Sequence, residues 1–380
     1  MKKIIIIGPA YPLRGGIAAF TERFAAELSK QEDDISILSY SLQYPKYLFP
    51  GKTQYSTGEN SCKVPIRIAL NSINPLNWIR IGFQLRKLKP DYIIFKFWMP
   101  FMAPALGTIA RIVKGNRKTR CIGIAHNIIP HEKKISDYFL ANYFVKAMDG
   151  FLVLSESVMK DLIRYKFQNE IRISPHPLYD HFGKAMTKSL AREKLQLDQD
   201  WNYLLFFGII REYKGLDLAL KALASKKLKR SKIKLIVAGE FYCDEQPYYD
   251  LVKTLGISDR VIFESNYIPD QNVPAYFSAA DLIIQPYKQA TQSGVTQIAY
   301  HFNKPVLVTN VGGLPELVSH QKVGYVSSRD PEKIAEYIID YFNHKREPEF
   351  VKNIIELKKI YGWDLFLNQM NLLMQELEKN

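Results

Sequence analysis

The chain has 380 residues, 47% of them hydrophobic and 24% charged, which is enough to bury a core in each of two domains rather than one. Its 52 Lys and Arg against 38 Asp and Glu give +14, a balance that suits either a plain soluble surface or an anionic partner such as a phosphorylated substrate or a bilayer face. Three scattered cysteines, Cys62, Cys121 and Cys243, argue against a disulfide framework or a paired-cysteine metal site and point to reduced thiols and a cytoplasmic address. No apolar run reaches the roughly 18 residues of a spanning helix, and Gly8, Pro9, Pro12 and Arg14 break the first apolar run too soon for a signal peptide.

In chain order, residues 4–7 are a continuous β-branched run, the pattern of a strand buried on both faces of a parallel sheet. A Gly/Pro loop over 8–16 follows, then a helical pattern over 17–30 with Phe20, Phe24 and Leu28 on one face. Strand, glycine loop and helix open a βαβ unit. Further strands are predicted at 35–40, 91–97, 121–125 and 151–154, with a helix at 78–88 started by Asn74-Pro75 and another that Ser155 can cap. The pattern weakens over 171–190, around Pro175-His176-Pro177. A second series then begins, with strands at 203–207, 234–238, 261–264, 282–285, 306–309 and 323–326 and helices between them. Residues 363–377 read as a terminal amphipathic helix. Two such series predict an α/β fold of two doubly wound, Rossmann-like domains, with the boundary near 175–200.

Four loops at predicted strand ends carry the chemistry. Gly8 to Gly16, with Arg14-Gly15-Gly16 before a helix start, lets backbone approach a phosphate. It is not GxGxxG, and no acid closes the second strand, which argues against a dinucleotide cofactor. Gly208 to Gly215 places Arg211 and Lys214 three apart, a guanidinium fork and a point charge suited to one diphosphate. A solvated basic loop is the plain alternative. The stretch from Pro286 to Gln297 brings Ser293 and Gly294, flanked by Gln292 and Val295, to another helix start. Val311-Gly312-Gly313-Leu314-Pro315-Glu316 is a similar loop one strand later. Together these loops predict a nucleotide-diphosphate cleft.

The motifs resemble glycosyltransferase family four. Arg211-x-x-Lys214-Gly215, Asp281 with Pro286-Tyr287, and Lys304-Pro305-Val306 with Gly312-Gly313 and Glu316 are similar to that family's donor domain. Arg14-Gly15-Gly16-Ile17, His126-Asn127 and Trp363-Asp364 extend the likeness over nearly the whole chain. The resemblance implies the GT-B fold, two Rossmann-like domains facing a central cleft. Residues 1–180 would be the acceptor-binding domain, 195–358 the nucleotide-sugar domain, and 359–380 a helix packing back on the first domain. It also implies a UDP- or GDP-linked sugar donor, no metal, no separate cofactor and retention of configuration. The expected catalytic residues are His126, Arg211 and Lys214. Donor binding would fall to Gly15, Gly16, Gly208, Arg211, Lys214, Gln292, Ser293, Gly294, Val295 and Gln297.

One departure stands out. Many family members carry two Glu residues separated by seven others before the Lys-Pro-Val strand. Here the two positions hold Ala290 and Ile298, or Gln289 and Gln297 in the neighbouring register. A neutral Gln297 or Thr296 would then meet the ribose, and Gln292 or Ser293 the sugar or phosphate. A non-catalytic GT-B protein that binds a sugar nucleotide or a partner is therefore a second reading, and an NAD-dependent oxidoreductase a weaker third. His131 with Glu132 makes only two metal ligands. Trp98 and Phe101 fit either a core or an acceptor pocket. Residues 67–89 mix Arg67, Arg80, Arg86, Lys87 and Lys89 with Trp78, Ile79 and Phe83, a pattern for peripheral contact with an anionic membrane or for a domain helix with a basic face. The expected partners are a nucleotide sugar, a glycan or lipid-linked acceptor and an anionic membrane surface. Nucleic acid is not among them, since no basic stripe interleaves with stacking aromatics.

Overall fold

The computed structural model describes residues 1–31, 33–46, 49, 51–56, 62–129, 135–290 and 293–379. The chain divides into two compact units, Met1–Pro177 with Tyr361–Asn380, and Leu178–Ile360.

The first unit's strands are β1 (Lys3–Ile7), β2 (Asp34–Leu42), β3 (Ile66–Asn71), β4 (Tyr92–Phe97), β5 (Arg120–Ala125), β6 (Gly150–Val153) and β7 (Glu170–Ile173). Among the described residues they form a seven-stranded sheet in the order β3-β2-β1-β4-β5-β6-β7, every pair parallel. Ile4 to Ile7 and all six residues of β4 are buried, as a two-sided parallel strand requires. The edge strands β3 and β7, absent from the sequence reading, are largely half-exposed, so their residue pattern is mixed. Asn74 caps the helix Pro75–Leu88 by accepting from Leu76 N and Asn77 N (3.0 and 3.2 Å). Ser155 caps Glu156–Arg164 through Val158 N, as the sequence suggests.

The terminal helix Trp363–Lys379 belongs to the first unit, as expected. Phe366 meets Phe24 of the helix Gly16–Ser29 edge to face, centroids 5.6 Å apart. Tyr92 OH donates to Met374 O (3.0 Å), and Arg172 pairs with Glu376.

The second unit contains β8 (Asn202–Phe207), β9 (Ile233–Ala238), β10 (Val261–Glu264), β11 (Leu282–Gln285), β12 (Val306–Thr309) and β13 (Gly324–Ser327). These form a six-stranded sheet among the described residues, order β10-β9-β8-β11-β12-β13. In each unit the order reverses beside the first strand, between β1 and β4 and between β8 and β11. This is the doubly wound arrangement, and it opens a crevice at the carboxyl ends of those strands.

Asp281, just before β11, ties the opposite edge of the second sheet. It accepts from Arg192 Nη2 (2.9 Å), Lys188 Nζ (2.7 Å) and Tyr203 N (2.6 Å) and is almost fully buried. Burial alone would lower the pKa of Lys188, but the carboxylates of Asp281 and Glu347 outweigh it and raise it. The place of Asp281 in the family-like motif is thus structural: it stands at the amino end of a strand, away from the crevice. Removing the carboxylate leaves Arg192 buried without its partner. Asp281→Ala should therefore destabilise the second unit by about 3–5 kcal/mol in chemical denaturation, and a loss below about 1 kcal/mol would contradict this account.

Candidate functional site

In the second unit, β8 ends at Phe207 and the chain turns at Gly208 with φ 93°, a backbone angle that side-chain-bearing residues rarely hold. Arg211 stands just before a short helical turn, Glu212–Lys214, in extended conformation. Gly215, at φ 69°, then rests against the loop after β11, where an added Cβ would lie 2.0 Å from Pro286 O. Lys288 N donates to Tyr213 O (2.6 Å). The loops on either side of the switch point are thus joined backbone to backbone.

Side chains converge at this junction. A Cβ on Gly208 would sit 3.6 Å from Lys214 Nζ and 3.6 Å from Val295 Cγ2, so the loop after β8 meets the start of the helix Gly294–His301. Lys214 Nζ lies 5.6 Å from the Tyr287 ring centroid, and Arg211 lies 5.5 Å from that of Tyr242. Ser293 donates to Gln285 Oε1, and Gln285 Nε2 donates to Thr296 Oγ1 (3.0 Å), which fixes the entry to that helix. Gly294 lies against the Tyr179 ring. Burial, reinforced by the Arg211 charge, pulls Lys214 down to about 8. Two cations near enough to disfavour each other's charge are what an anion of high charge would stabilise.

Gln297 is fully buried on the same helix, and neither amide atom has a partner among the described residues. Such a sealed amide costs about 1–3 kcal/mol. Gln292, like His131 and Glu132, lies outside the described residues. Glu240 follows β9, is buried, and its carbonyl accepts from Ile210 N (2.9 Å). Glu316 is exposed.

The first unit has its own cluster at its switch point. Gly15 precedes the helix Gly16–Ser29 at φ 108°, and a Cβ there would meet only open space. Gly16 is exposed at the helix start. His126 follows β5, its N donating to Phe97 O (2.8 Å). Its ring packs edge-on to Phe20 (5.3 Å) and 5.9 Å from His176. Nε2 is shut off from solvent with no partner among the described residues. The residue that sequence reading missed is Lys96. It is fully buried in β4, with Nζ 3.5 Å above the Phe20 ring and no hydrogen-bond partner among the described residues. Its one sequence signal was a charge inside the apolar run Tyr92–Phe97. Burial holds Lys96 far below its ordinary value. Burial, then Lys96 and His176, do the same to His126. Burial takes His176 to about 4, and Lys96 adds to the effect. Both imidazoles are therefore neutral at pH 7. Trp98 is nearly buried, and Phe101 packs against the core beside it.

Residues 14–178 match the family model "Glycosyltransferase Family 4" and residues 187–358 the model "Glycosyl transferases group 1". The chain belongs to glycosyltransferase family four. A D-inositol 3-phosphate glycosyltransferase of Streptomyces avermitilis is 27% identical over 233 residues, 58% of this chain and 50% of that protein. The chain spans about half the length of the curated relatives it matches. Among solved structures, the sucrose-phosphate synthase of Thermosynechococcus elongatus superposes with a TM-score of 0.78 at 16% identity, covering 100% of both chains. Anabaena HepE, crystallised with UDP-glucose, does so at 0.74 and 16%, also over 100% of both. That likeness shows the GT-B fold for this family member.

Two pH responses follow. An anion held at Lys214 should prefer the protonated amine, so affinity for inorganic pyrophosphate as a probe should fall as pH rises through about 8, by up to about tenfold per unit. Titration calorimetry from pH 7 to 9.5 would read this slope, and Lys214→Met should flatten it. A wild-type affinity independent of pH would remove Lys214 from the site. His176 has a folded value near 4, below the ordinary 6.5. The unfolded chain therefore takes up the proton first, and the stability His176 contributes is present above 6.5 and lost as pH falls toward 4. The loss is about 1.4 kcal/mol per unit. Urea unfolding at pH 7, 6 and 5 should show the decline, and His176→Phe should reduce it.

Proposed function

We propose that the chain transfers a sugar from a UDP- or GDP-linked donor to a glycan or lipid-linked acceptor, with retention and without a metal ion. The observation that carries this reading is the meeting of Gly208, Lys214 and Val295 at the switch point of the second unit, with Arg211 close enough to lower the pKa of Lys214. As the glycosidic bond breaks, charge grows on the departing phosphate oxygen, and preorganised cations stabilise it most where water is scarce. Arg211 and Lys214 would supply the positive charge that a metal brings elsewhere. Gly208, Ser293, Gly294 and Val295 would shape the diphosphate pocket, and Gln297 would stand near the ribose. In the first unit, Gly15 and Gly16 would offer backbone to the donor, and the neutral His126 would hydrogen-bond the sugar. The UDP-glucose held by the Anabaena neighbour supports a uridine donor, and retention follows the family. Residues 1–180 would take the acceptor and 195–358 the donor.

A second reading, binding without turnover, is favoured by one feature: neutral residues at the positions of the acidic pair, with Gln297 sealed and unpartnered. A donor screen separates the two. UDP- or GDP-sugars should raise the melting temperature by mass action, and the same donors should be hydrolysed or consumed. Thermal shift without consumption in the presence of acceptor lipids and glycans would favour the second reading. Arg211→Ala should lower turnover by about 100-fold or more with an unchanged melting temperature. Wild-type turnover in that variant would overturn the assignment.

A further inference from the structure

The helix Pro75–Leu88 presents two apolar faces. One, with Ile81, Gly82 and Leu85, is buried. Gly82 lies against Ile112 of the neighbouring helix Ala103–Lys114, so closely that a Cβ would come within 2.9 Å of it. Trp78, the aromatic that the sequence puts forward for a membrane, turns toward this side. It packs against the core, and its Nε1 donates to Asn71 O (2.6 Å). The helix is therefore anchored without its other face.

Among the described residues that other face is unpartnered, and it is apolar. Leu76 is 76% exposed, Phe83 55% and Ile79 42%. Their spacing of three and four puts them on one line of the helix, and Arg80 and Lys87 share that line. Ile73, just before the helix, is exposed as well. Exposed large side chains scattered singly need no explanation, but a contiguous stripe does.

Charge identifies the occupant. Between Cys62 and Pro90 there are six cations, Lys63, Arg67, Arg80, Arg86, Lys87 and Lys89, and no Asp or Glu. Among the described residues none of the six forms an ion pair with a carboxylate; Arg67 donates to Gln84 and Arg86 to Gly115 O. A row of apolar side chains flanked by unpaired cations matches an anionic phospholipid surface, where acyl chains take the first and headgroups the second. A protein partner would need a matching apolar groove as well as acids, and a second copy of this face would bring like charges together.

We propose that the stripe Leu76, Ile79 and Phe83, with Arg80 and Lys87, is the surface by which this chain docks on an anionic phospholipid bilayer. This deepens the acceptor half of the proposed function and rests on it only for its purpose, since a lipid-linked acceptor lies at such a face. Docking requires neither donor nor turnover, so it can fail while the donor assignment stands, and the reverse.

The test is co-sedimentation of the full chain with vesicles of phosphatidylcholine containing phosphatidylglycerol, at low and high salt. The wild type should pellet at low salt, release as salt rises because screening shortens the reach of the cations, and ignore pure phosphatidylcholine. Leu76→Ser with Phe83→Ser should weaken vesicle binding at least tenfold with an unchanged melting temperature, since both side chains are exposed. Arg80→Glu with Lys87→Glu should abolish the preference for phosphatidylglycerol. A wild type that stays in the supernatant at low salt overturns the proposal, as does either variant binding like the wild type. If instead sedimentation velocity shows a dimer that the Leu76→Ser, Phe83→Ser variant loses, without vesicle binding, the face belongs to a second copy and the proposal is overturned.

Discussion

All the strands of a parallel sheet finish on one edge, and where two neighbouring strands send their connections to opposite sides, the loops leaving them must part. In the second unit this happens between β8 and β11. The gap is kept narrow by backbone rather than side chains. Gly215 lies on the Pro286 carbonyl, and Gly208 leaves only a Cβ-sized distance to Lys214 and Val295. A Cβ at Gly215 would collide with that carbonyl and drive the loops apart, whereas at Gly208 the constraint is the backbone, held at φ 93°. The position of each functional group in this unit depends on that close approach.

The same strand shows how one sheet separates stability from chemistry. At the amino end of β11, Asp281 neutralises the buried Arg192 and the half-buried Lys188, and these pairs hold the fold together. Beyond its carboxyl end, Lys214 has a second cation nearby, and its proton is loosened. Paired charge is inert, whereas charge of one sign gathered in a partly buried place is poised for a ligand. The first unit repeats the contrast. Lys114 pairs with Asp149 (2.6 Å) beside the start of β5, while near the carboxyl ends the Lys96 charge is felt by His126, and neither has a carboxylate partner among the described residues.

Lys96 also explains a local choice of sequence. Its aliphatic stem runs so close to Gly8 that a Cβ there would fall 2.6 Å from Lys96 Cγ. The glycine after β1, which reads as a phosphate-loop residue, is thus at least partly a space for a neighbouring lysine.

The sequence alone determined the buried strands and their parallel nature, because runs such as Ile4 to Ile7 and Leu204 to Phe207 are apolar on both faces and only a covered parallel sheet accepts them. It also marked the loops after β8 and β11, since glycine, small and basic residues at strand ends reflect local backbone geometry. What it did not contain was the phase of ambiguous elements. Strands β3 and β7 lie at sheet edges, where half-exposure blurs the alternation. The helix Pro75–Leu88 is apolar on two sides, and only the neighbour Ile112 decided that Trp78 turns in while Leu76 and Phe83 turn out. Likewise, Lys214 is near in sequence to Arg211 but meets Val295 only because β11 crosses to lie beside β8. Local pattern records what a residue's own backbone and burial demand, while the meeting of distant residues is decided by strand order, which is a property of the folded whole.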